Sequence, residues 1–239
     1  MIKLVIAGAG GRMGTRIVEL AQEDPSLFKV VYQLESKSRA GEALLGGAMP
    51  RYGMDSDRIA EADVVIDFTA PDAALKIAEK AAKYKKPIVI GTTGFSPAQE
   101  KQLEKTLKQV PVLKSANMSL GVNAFFKVVK DIARILDDYD VRIEEKHHEH
   151  KKDAPSGTAL QLGKIMEEYL QKKIVYESMR EGEVVGDHRV IFQGRFDRFE
   201  LFHHAESRDI FVAGALAAAL WLVDKKPGLY SMQDVLSFK

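Results

Sequence analysis

Five short stretches in the first half of this chain are apolar at almost every position, and residues with helical spacing lie between them. Strands of that kind must be buried on both faces, and chain that alternates between the two periods builds a parallel sheet with helices on either side. Leu4–Ala7 is the first strand, followed by a helix over Met13–Gln22 that Pro25 stops. Phe28–Leu34 is the second and ends at Glu35; Asp63–Phe68 is the third, with a helix opening at Pro71. Ile88–Ile90 is the fourth, and Ser96-Pro97 caps and starts the next helix; Val110–Leu113 is the fifth. These residues predict a doubly wound α/β domain of Rossmann type over residues 1–117.

Beyond it the pattern changes. An amphipathic helix over Val122–Leu136 leads to a strand at Val141–Lys146, a charged loop, and a helix from about Thr158. Val184–Phe192 and Arg198–His203 then read as antiparallel strands with no helix between them. A run of helix and then sheet predicts a separate α+β domain over 118–208. An alanine- and glycine-rich helix follows at Ile210–Trp221, within a final segment, 209–239, suited to close packing on a flat surface.

Composition narrows the function classes. The formal net charge is +1, so no global field directs the chain to nucleic acid or to an anionic membrane, and any anion site must be local. The absence of cysteine excludes disulfides, thiolate catalysis and cysteine zinc sites. The longest apolar stretch, Ile210–Val223, falls short of the roughly 20 residues that a membrane span requires. Met1–Ile6 passes directly into a strand with no secretory pattern, so the expected location is the cytoplasm.

Gly8-Ala9-Gly10-Gly11-Arg12-Met13-Gly14 joins the first strand to the first helix. A glycine turn there lets the backbone approach a pyrophosphate, which then meets the N–H groups of the new helix. The usual third glycine position is Met13, whereas Gly8, Gly11 and Gly14 keep a three-residue rhythm. Glu35, at the end of the second strand, stands where an acid grips the adenosine ribose, and it favours the free 2′-hydroxyl of NADH. Arg12, Lys37 and Arg39 offer cations to the 2′-phosphate of NADPH, so use of either cofactor is expected. Two further turns, at Phe68–Pro71 and Gly91-Thr92-Thr93-Gly94, lie at strand C-termini and should border the nicotinamide half.

The most informative stretch is Glu145-Lys146-His147-His148-Glu149-His150-Lys151-Lys152-Asp153-Ala154-Pro155-Ser156-Gly157-Thr158. It reads in three ways: as a solvated charged loop, as a metal site through His148 and His150, or as an anion and proton-transfer site. The metal reading has no cysteine to support it, and strand alternation would turn His147 away, so no metal is expected. In the third reading Lys151 and Lys152 supply cations, while Ser156-Gly157-Thr158 places hydroxyls and free N–H groups at a helix start, which binds carboxylates. The histidines titrate near neutrality and move protons. Beside a nicotinamide domain, such a loop implies hydride delivery to a small polycarboxylate.

GAGGRMG at Gly8–Gly14, DFTAP at Asp67–Pro71, GTTG at Gly91–Gly94, NMSLGVN at Asn117–Asn123 and the stretch Glu145–Ala159 together resemble the dihydrodipicolinate reductase family, now called 4-hydroxy-tetrahydrodipicolinate reductases. The resemblance runs nearly end to end, through Val185-Gly186-Asp187-His188 to the tail Gly214–Leu236. It implies NADH- or NADPH-dependent reduction of a cyclic dicarboxylate with a conjugated imine, in the diaminopimelate route to lysine. By position it makes His147 the proton donor and acceptor and Lys151 the catalytic proton donor. His148, Ser156, Gly157 and Thr158 become substrate-binding. Gly8, Ala9, Gly10, Gly11, Arg12, Met13, Glu35, Phe68, Gly91, Thr92, Thr93, Ser115, Ala116, Asn117 and Met118 become cofactor-binding. It also implies an open mixed sheet in the second domain, a homotetramer joined through those sheets, and a last segment returning to the cofactor domain. Two departures stand out: Ser36 occupies a position where an arginine is often found, and the stretch between Tyr176 and Gly186 is shorter than in many relatives. Glu149 is expected to point away from the substrate by strand alternation. The rival readings are an aspartate or diaminopimelate dehydrogenase of similar architecture, and a nicotinamide-sensing binding protein without turnover.

Overall fold

The computed structural model describes residues 1–36 and 51–237; Lys37 and Arg39, expected near the cofactor's ribose, lie outside them. In chain order the elements are β1 (Ile2–Ala7), α1 (Arg12–Glu23), β2 (Phe28–Glu35), β3 (Arg51–Gly53), a 3-10 turn (Asp57–Glu61), β4 (Val64–Asp67), α2 (Pro71–Lys83), β5 (Ile88–Ile90), α3 (Pro97–Thr106), β6 (Pro111–Lys114), α4 (Leu120–Ile135), β7 (Asp140–His147), α5 (Gly157–Glu167), β8 (Val175–Arg180), β9 (Asp187–Gln193), β10 (Arg198–His204), α6 (Asp209–Leu222), β11 (Gly228–Tyr230) and α7 (Met232–Val235). They fall into two compact units. The first comprises the described residues of Met1–Ser119 together with those from Phe211 onward, and the second is Leu120–Ile210.

The first unit is built on a seven-stranded sheet of order β11-β6-β5-β4-β1-β2-β3, parallel throughout. The order reverses between β1 and β4. That is the point at which α/β sheets leave a crevice outside the strand C-termini. Val5, Leu34, Val65, Ile88 and Ile90 of the strands pack with Ile77 and Ala78 of α2 and Leu103 of α3 in one buried cluster. Each large aliphatic side chain there contributes about 1.5–3 kcal/mol by leaving water. The helix starts follow the sequence: Pro71 opens α2, and α3 begins in a capping box. In that box Gln99 N–H donates to Ser96 Oγ at 3.3 Å, and Ser96 N–H donates to Gln99 Oε1 at 2.8 Å. The edge strands β3 and β11, three residues each, are too short to leave a periodic signal.

The second unit carries a four-stranded mixed sheet of order β10-β9-β7-β8. β7 pairs parallel with β8 and antiparallel with β9, which pairs antiparallel with β10. One face of this sheet, through Val141, Ile143, Val190 and Phe192, packs against Phe125, Phe126 and Val129 of α4 and Ala159, Leu162 and Met166 of α5. Register carries the same face to the strand ends. His147 is paired with Arg180, Glu145 with both Ser178 and His188, and His188 with His203. Two features differ from the sequence reading. β9 begins at Asp187 rather than Val184, and β8 was not expected, because Val175–Arg180 is largely exposed and lacks apolar alternation.

Candidate active site

The C-terminal ends of β1, β2, β4, β5 and β6 bring together most of the residues expected at a dinucleotide. Gly8 adopts φ +79°, a left-handed conformation, and a Cβ there would stand 2.3 Å from the Phe68 carbonyl oxygen. The three-residue glycine rhythm has a steric cause. A Cβ on Gly14 would lie 2.1 Å from Gly8 O and 2.7 Å from Ala9 Cα, so Gly14 is what lets α1 press onto the turn. Gly11 is the N-cap of α1 and has no side chain to satisfy the first-turn amides, and no acid stands in that turn. Those amides fit a pyrophosphate, which their partial positive charge and the close-packed glycines would accept.

Glu35 is buried, and its two carboxylate oxygens accept hydrogen bonds from Gly10 N–H at 2.8 Å and Ser36 N–H at 2.9 Å. The acid expected to hold a ribose thus also ties β2 to the glycine turn. Phe68 lays its ring over Gly91, where a Cβ would meet ring carbons at 2.2–2.3 Å. Thr92 is buried behind the exposed Thr93. Beyond β6, Ser115 Oγ donates to Asn117 O at 2.7 Å, and Ser119 N–H donates to Asn117 Oδ1 at 3.0 Å, folding Ser115–Met118 into a tight turn. Met118 is buried, with its carbonyl against Gly214 of α6; Ala116 is exposed and Arg12 reaches solvent.

Asp67 links two of these turns. Its fully buried carboxyl accepts from Thr69 Oγ1 at 2.6 Å and from Thr92 Oγ1 at 2.7 Å, and Thr92 Oγ1 accepts from Thr69 N–H at 2.8 Å. Burial pushes the Asp67 pKa up to about 6, against the pull of the two hydroxyls. An acid whose pKa is raised on folding holds its proton longer folded than unfolded, so stability falls as pH rises from about 4 to 6 and is flat above. Relative to Asp67→Asn, the wild-type protein should therefore gain about 2 kcal/mol between pH 7 and pH 4. Urea unfolding of both proteins at the two pH values measures it, and a constant difference would show that Asp67 is ionised in the fold.

In the second unit, β7 ends at His147, so strand alternation does not govern residues 148–150. Glu149 stands exposed in a turn, its carboxylate 3.4 Å from the Gly182 N–H. The His148 and His150 rings lie 6.2 Å apart, and His148 Nε2 is 3.4 Å from Arg208 Nη2. His147 is buried against Glu145, with Nδ1 bonded to Oε2. Burial lowers the His147 pKa; the Glu145 carboxylate opposes this, and the charges of Lys151 and Arg180 add to it. Glu145 is 1% exposed. Burial would raise its pKa, but Arg180, Ser178 and His147 outweigh that and hold it below the usual range.

Lys151 Nζ donates to both oxygens of Asp153, at 2.7 and 2.8 Å. That ammonium, with the amides of Asp153 and Gly157, holds the Asp153 pKa low. A carboxylate of the chain itself therefore sits between Lys151 and the start of α5. Gly157 is exposed, with no atom within 4 Å of where a Cβ would stand, and Thr158 is half-buried. Ser156 is placed differently from its neighbours. It is buried, and its Oγ accepts the Ala159 N–H at 3.2 Å as N-cap and lies 3.2 Å from His188 Nε2. It shapes the helix start from behind. His188 is pushed down to about 3 by burial and then by His147, whose ring centroid is 5.1 Å away. Sequence reasoning gave no role to Arg180, Asp153 or His188. Arg180 in particular was invisible without β8.

Comparison with known proteins gives the family. The family model for the dihydrodipicolinate reductase N-terminus matches residues 2–118, and that for the C-terminus matches 121–236. The 4-hydroxy-tetrahydrodipicolinate reductases of Syntrophus aciditrophicus and Syntrophotalea carbinolica are 41% and 40% identical, each over the full length of both chains. A dipicolinate-bound dihydrodipicolinate reductase from Paenisporosarcina sp. TG-14 has the same fold, with a TM-score of 0.83 over 98% of each chain at 23% identity. With glycine turn, strand-end turns and histidine–lysine loop all present, the chain belongs to the dihydrodipicolinate reductase family.

Proposed function

We propose that this chain is a 4-hydroxy-tetrahydrodipicolinate reductase, reducing a cyclic dicarboxylate with a conjugated imine to tetrahydrodipicolinate. The observation that carries the reading is the carboxylate of Asp153, received by Lys151 and the first amide of α5, that of Gly157, next to the buried His147–Glu145 pair. A cation and a helix start that already accept one carboxylate are suited to a substrate carboxylate. Lys151, with His148, Gly157 and Thr158, holds the dicarboxylate. Lys151 and His147 govern protonation of the ring, His147 through the Nε2 that its bond to Glu145 leaves available. Bound NADH or NADPH supplies the hydride. Gly8–Met13 cradle its pyrophosphate, Glu35 faces the ribose, and Phe68, Gly91–Thr93 and Ser115–Met118 flank the nicotinamide. The test is oxidation of reduced cofactor with substrate made in place by the preceding synthase from pyruvate and aspartate semialdehyde. Reduction of oxidised cofactor by aspartate or diaminopimelate instead would assign the chain to a rival dehydrogenase.

Glu35 discriminates between cofactors. A carboxylate bonds a free 2′-hydroxyl and repels a 2′-phosphate. Glu35→Ala should weaken NADH about tenfold and NADPH less. Fluorescence titration of both cofactors checks this, and equal losses would reduce Glu35 to a support for the glycine turn.

The reading extends to assembly as a homotetramer acting in the cytoplasm. The face of the mixed sheet turned away from α4 and α5 carries exposed Val175, Met179 and Phe202 among the ion pairs Arg142–Glu177 and Arg189–Glu200. An apolar patch with a charged rim is suited to pairing with another copy of this sheet. Among the described residues, no helix is long and apolar enough to cross a membrane.

A further inference from the structure

We infer that Arg180 is a positioning residue that serves both proposed proton-transfer groups at once, orienting His147 through Glu145 and fixing the loop of Lys151 through backbone carbonyls. The inference rests on the reading of His147 and Lys151 given above and deepens it.

The geometry begins with strand register. β7 and β8 run parallel with His147 opposite Arg180 and Glu145 opposite Ser178, so alternation puts all four side chains on the face that α5 covers. Arg180 Nη1 and Nη2 donate to Glu145 Oε2 at 3.1 Å and Oε1 at 2.9 Å, a two-pronged pairing that fixes the carboxylate plane. Ser156 N–H donates to Oε1 at 3.2 Å, and His147 Nδ1 is bonded to Oε2. Glu145 is thereby held from three elements, and the tautomer and tilt of His147 follow from it. The same guanidinium reaches the loop: Nη2 donates to the Asp153 carbonyl at 2.5 Å, and Nε donates to the Lys151 carbonyl at 3.3 Å. Lys151 and Asp153, whose side chains form the ammonium–carboxylate pair, have their backbones tied to the group that clamps the histidine's partner. A lysine could replace the charge but not this fork.

A side chain that only filled space would leave the state of His147 unaffected, and one that only balanced the buried acid would be replaced by a lysine without loss of turnover. The charged or titratable groups facing His147 are Glu145 on its own strand, Arg180 on β8, His188 on β9 and Lys151 in the loop, with His203 one strand further on β10. Removing Arg180 takes away a cation and frees Glu145 to attract a proton, so the His147–Glu145 pair must take up a proton at higher pH. Removing the Glu145 charge must move His147 the other way.

The experiment is nitrogen NMR titration of the His147 imidazole in the full-length protein, alongside kcat and KM for the dicarboxylate. Arg180→Gln should raise the midpoint by about one pH unit, and Glu145→Gln should lower it by a similar amount. Each variant should lose kcat on the order of 10²-fold with a smaller change in KM. Arg180→Lys should keep the midpoint near that of the wild type yet still lose about tenfold in kcat, because the loop carbonyls lose their donors. It also serves if Arg180→Gln does not fold. Midpoints unchanged in both Gln variants, or wild-type turnover in Arg180→Lys, would overturn the inference. The midpoints need no substrate, so a failure of the proposed reaction registers separately: shifted midpoints in a protein that does not reduce the dicarboxylate leave the positioning intact and remove only its catalytic use.

Discussion

Lys151→Ala is expected to lower kcat about 10³-fold while leaving the affinity for reduced cofactor unchanged. The side chain belongs to the second unit, in the loop between β7 and α5, whereas the glycine turn and the strand-end turns belong to the first. Its ammonium is bonded to Asp153, a mostly exposed partner, and such a pair contributes little to stability. The variant should therefore fold and bind cofactor normally, and the loss should fall on chemistry and on substrate KM. Lys151→Arg should restore part of the KM effect through charge but little of kcat, because a guanidinium does not release a proton near neutral pH. Steady-state kinetics with a cofactor titration separates these effects. Equal losses in turnover and cofactor affinity would place Lys151 at the cofactor instead.

The second large effect is expected at Gly14. An alanine Cβ there would meet three backbone atoms of Gly8 and Ala9 within 2.7 Å, none of which can rotate away. Either α1 moves off the turn or the turn opens, and both would withdraw the first-turn amides from the proposed pyrophosphate position. Gly14→Ala should cost about 3 kcal/mol of stability and at least tenfold in cofactor affinity. Denaturant unfolding and fluorescence titration measure the two. Near-wild-type values for both would mean that the helix start does not bind the cofactor. Gly11→Ala is a natural comparison. A Cβ there would stand 3.3 Å from Gly8 O, so the loss should be smaller.

How much of this was legible in the sequence depended on whether a signal was local. The parallel sheet was, because β1, β4 and β5 are largely apolar and the starts of α2 and α3 carry a proline or a capping box. The Gly8, Gly11, Gly14 rhythm was visible too, although only the approach of Gly14 to the Gly8 carbonyl explains it. β8 was hidden: residues of VYESMR turn toward both faces while remaining largely exposed, so no period survives. With β8 went Arg180, whose neighbours in space are 27 to 35 positions away along the chain. Alternation also misled beyond His147, since the strand ends there and His148–His150 follow the turn instead. Ser156, read as a substrate contact from its place in the motif, is turned inward by its duty as N-cap.

The central claim is that this chain transfers hydride from a nicotinamide cofactor to a cyclic dicarboxylate. Reduction with cofactor deuterated at its transferable position, and mass analysis of the product, tests it most directly. The account predicts tetrahydrodipicolinate carrying one deuterium, formed at a rate that collapses in Lys151→Ala. Cofactor oxidised without label in the product, or label delivered as well by Lys151→Ala as by the wild type, would contradict it.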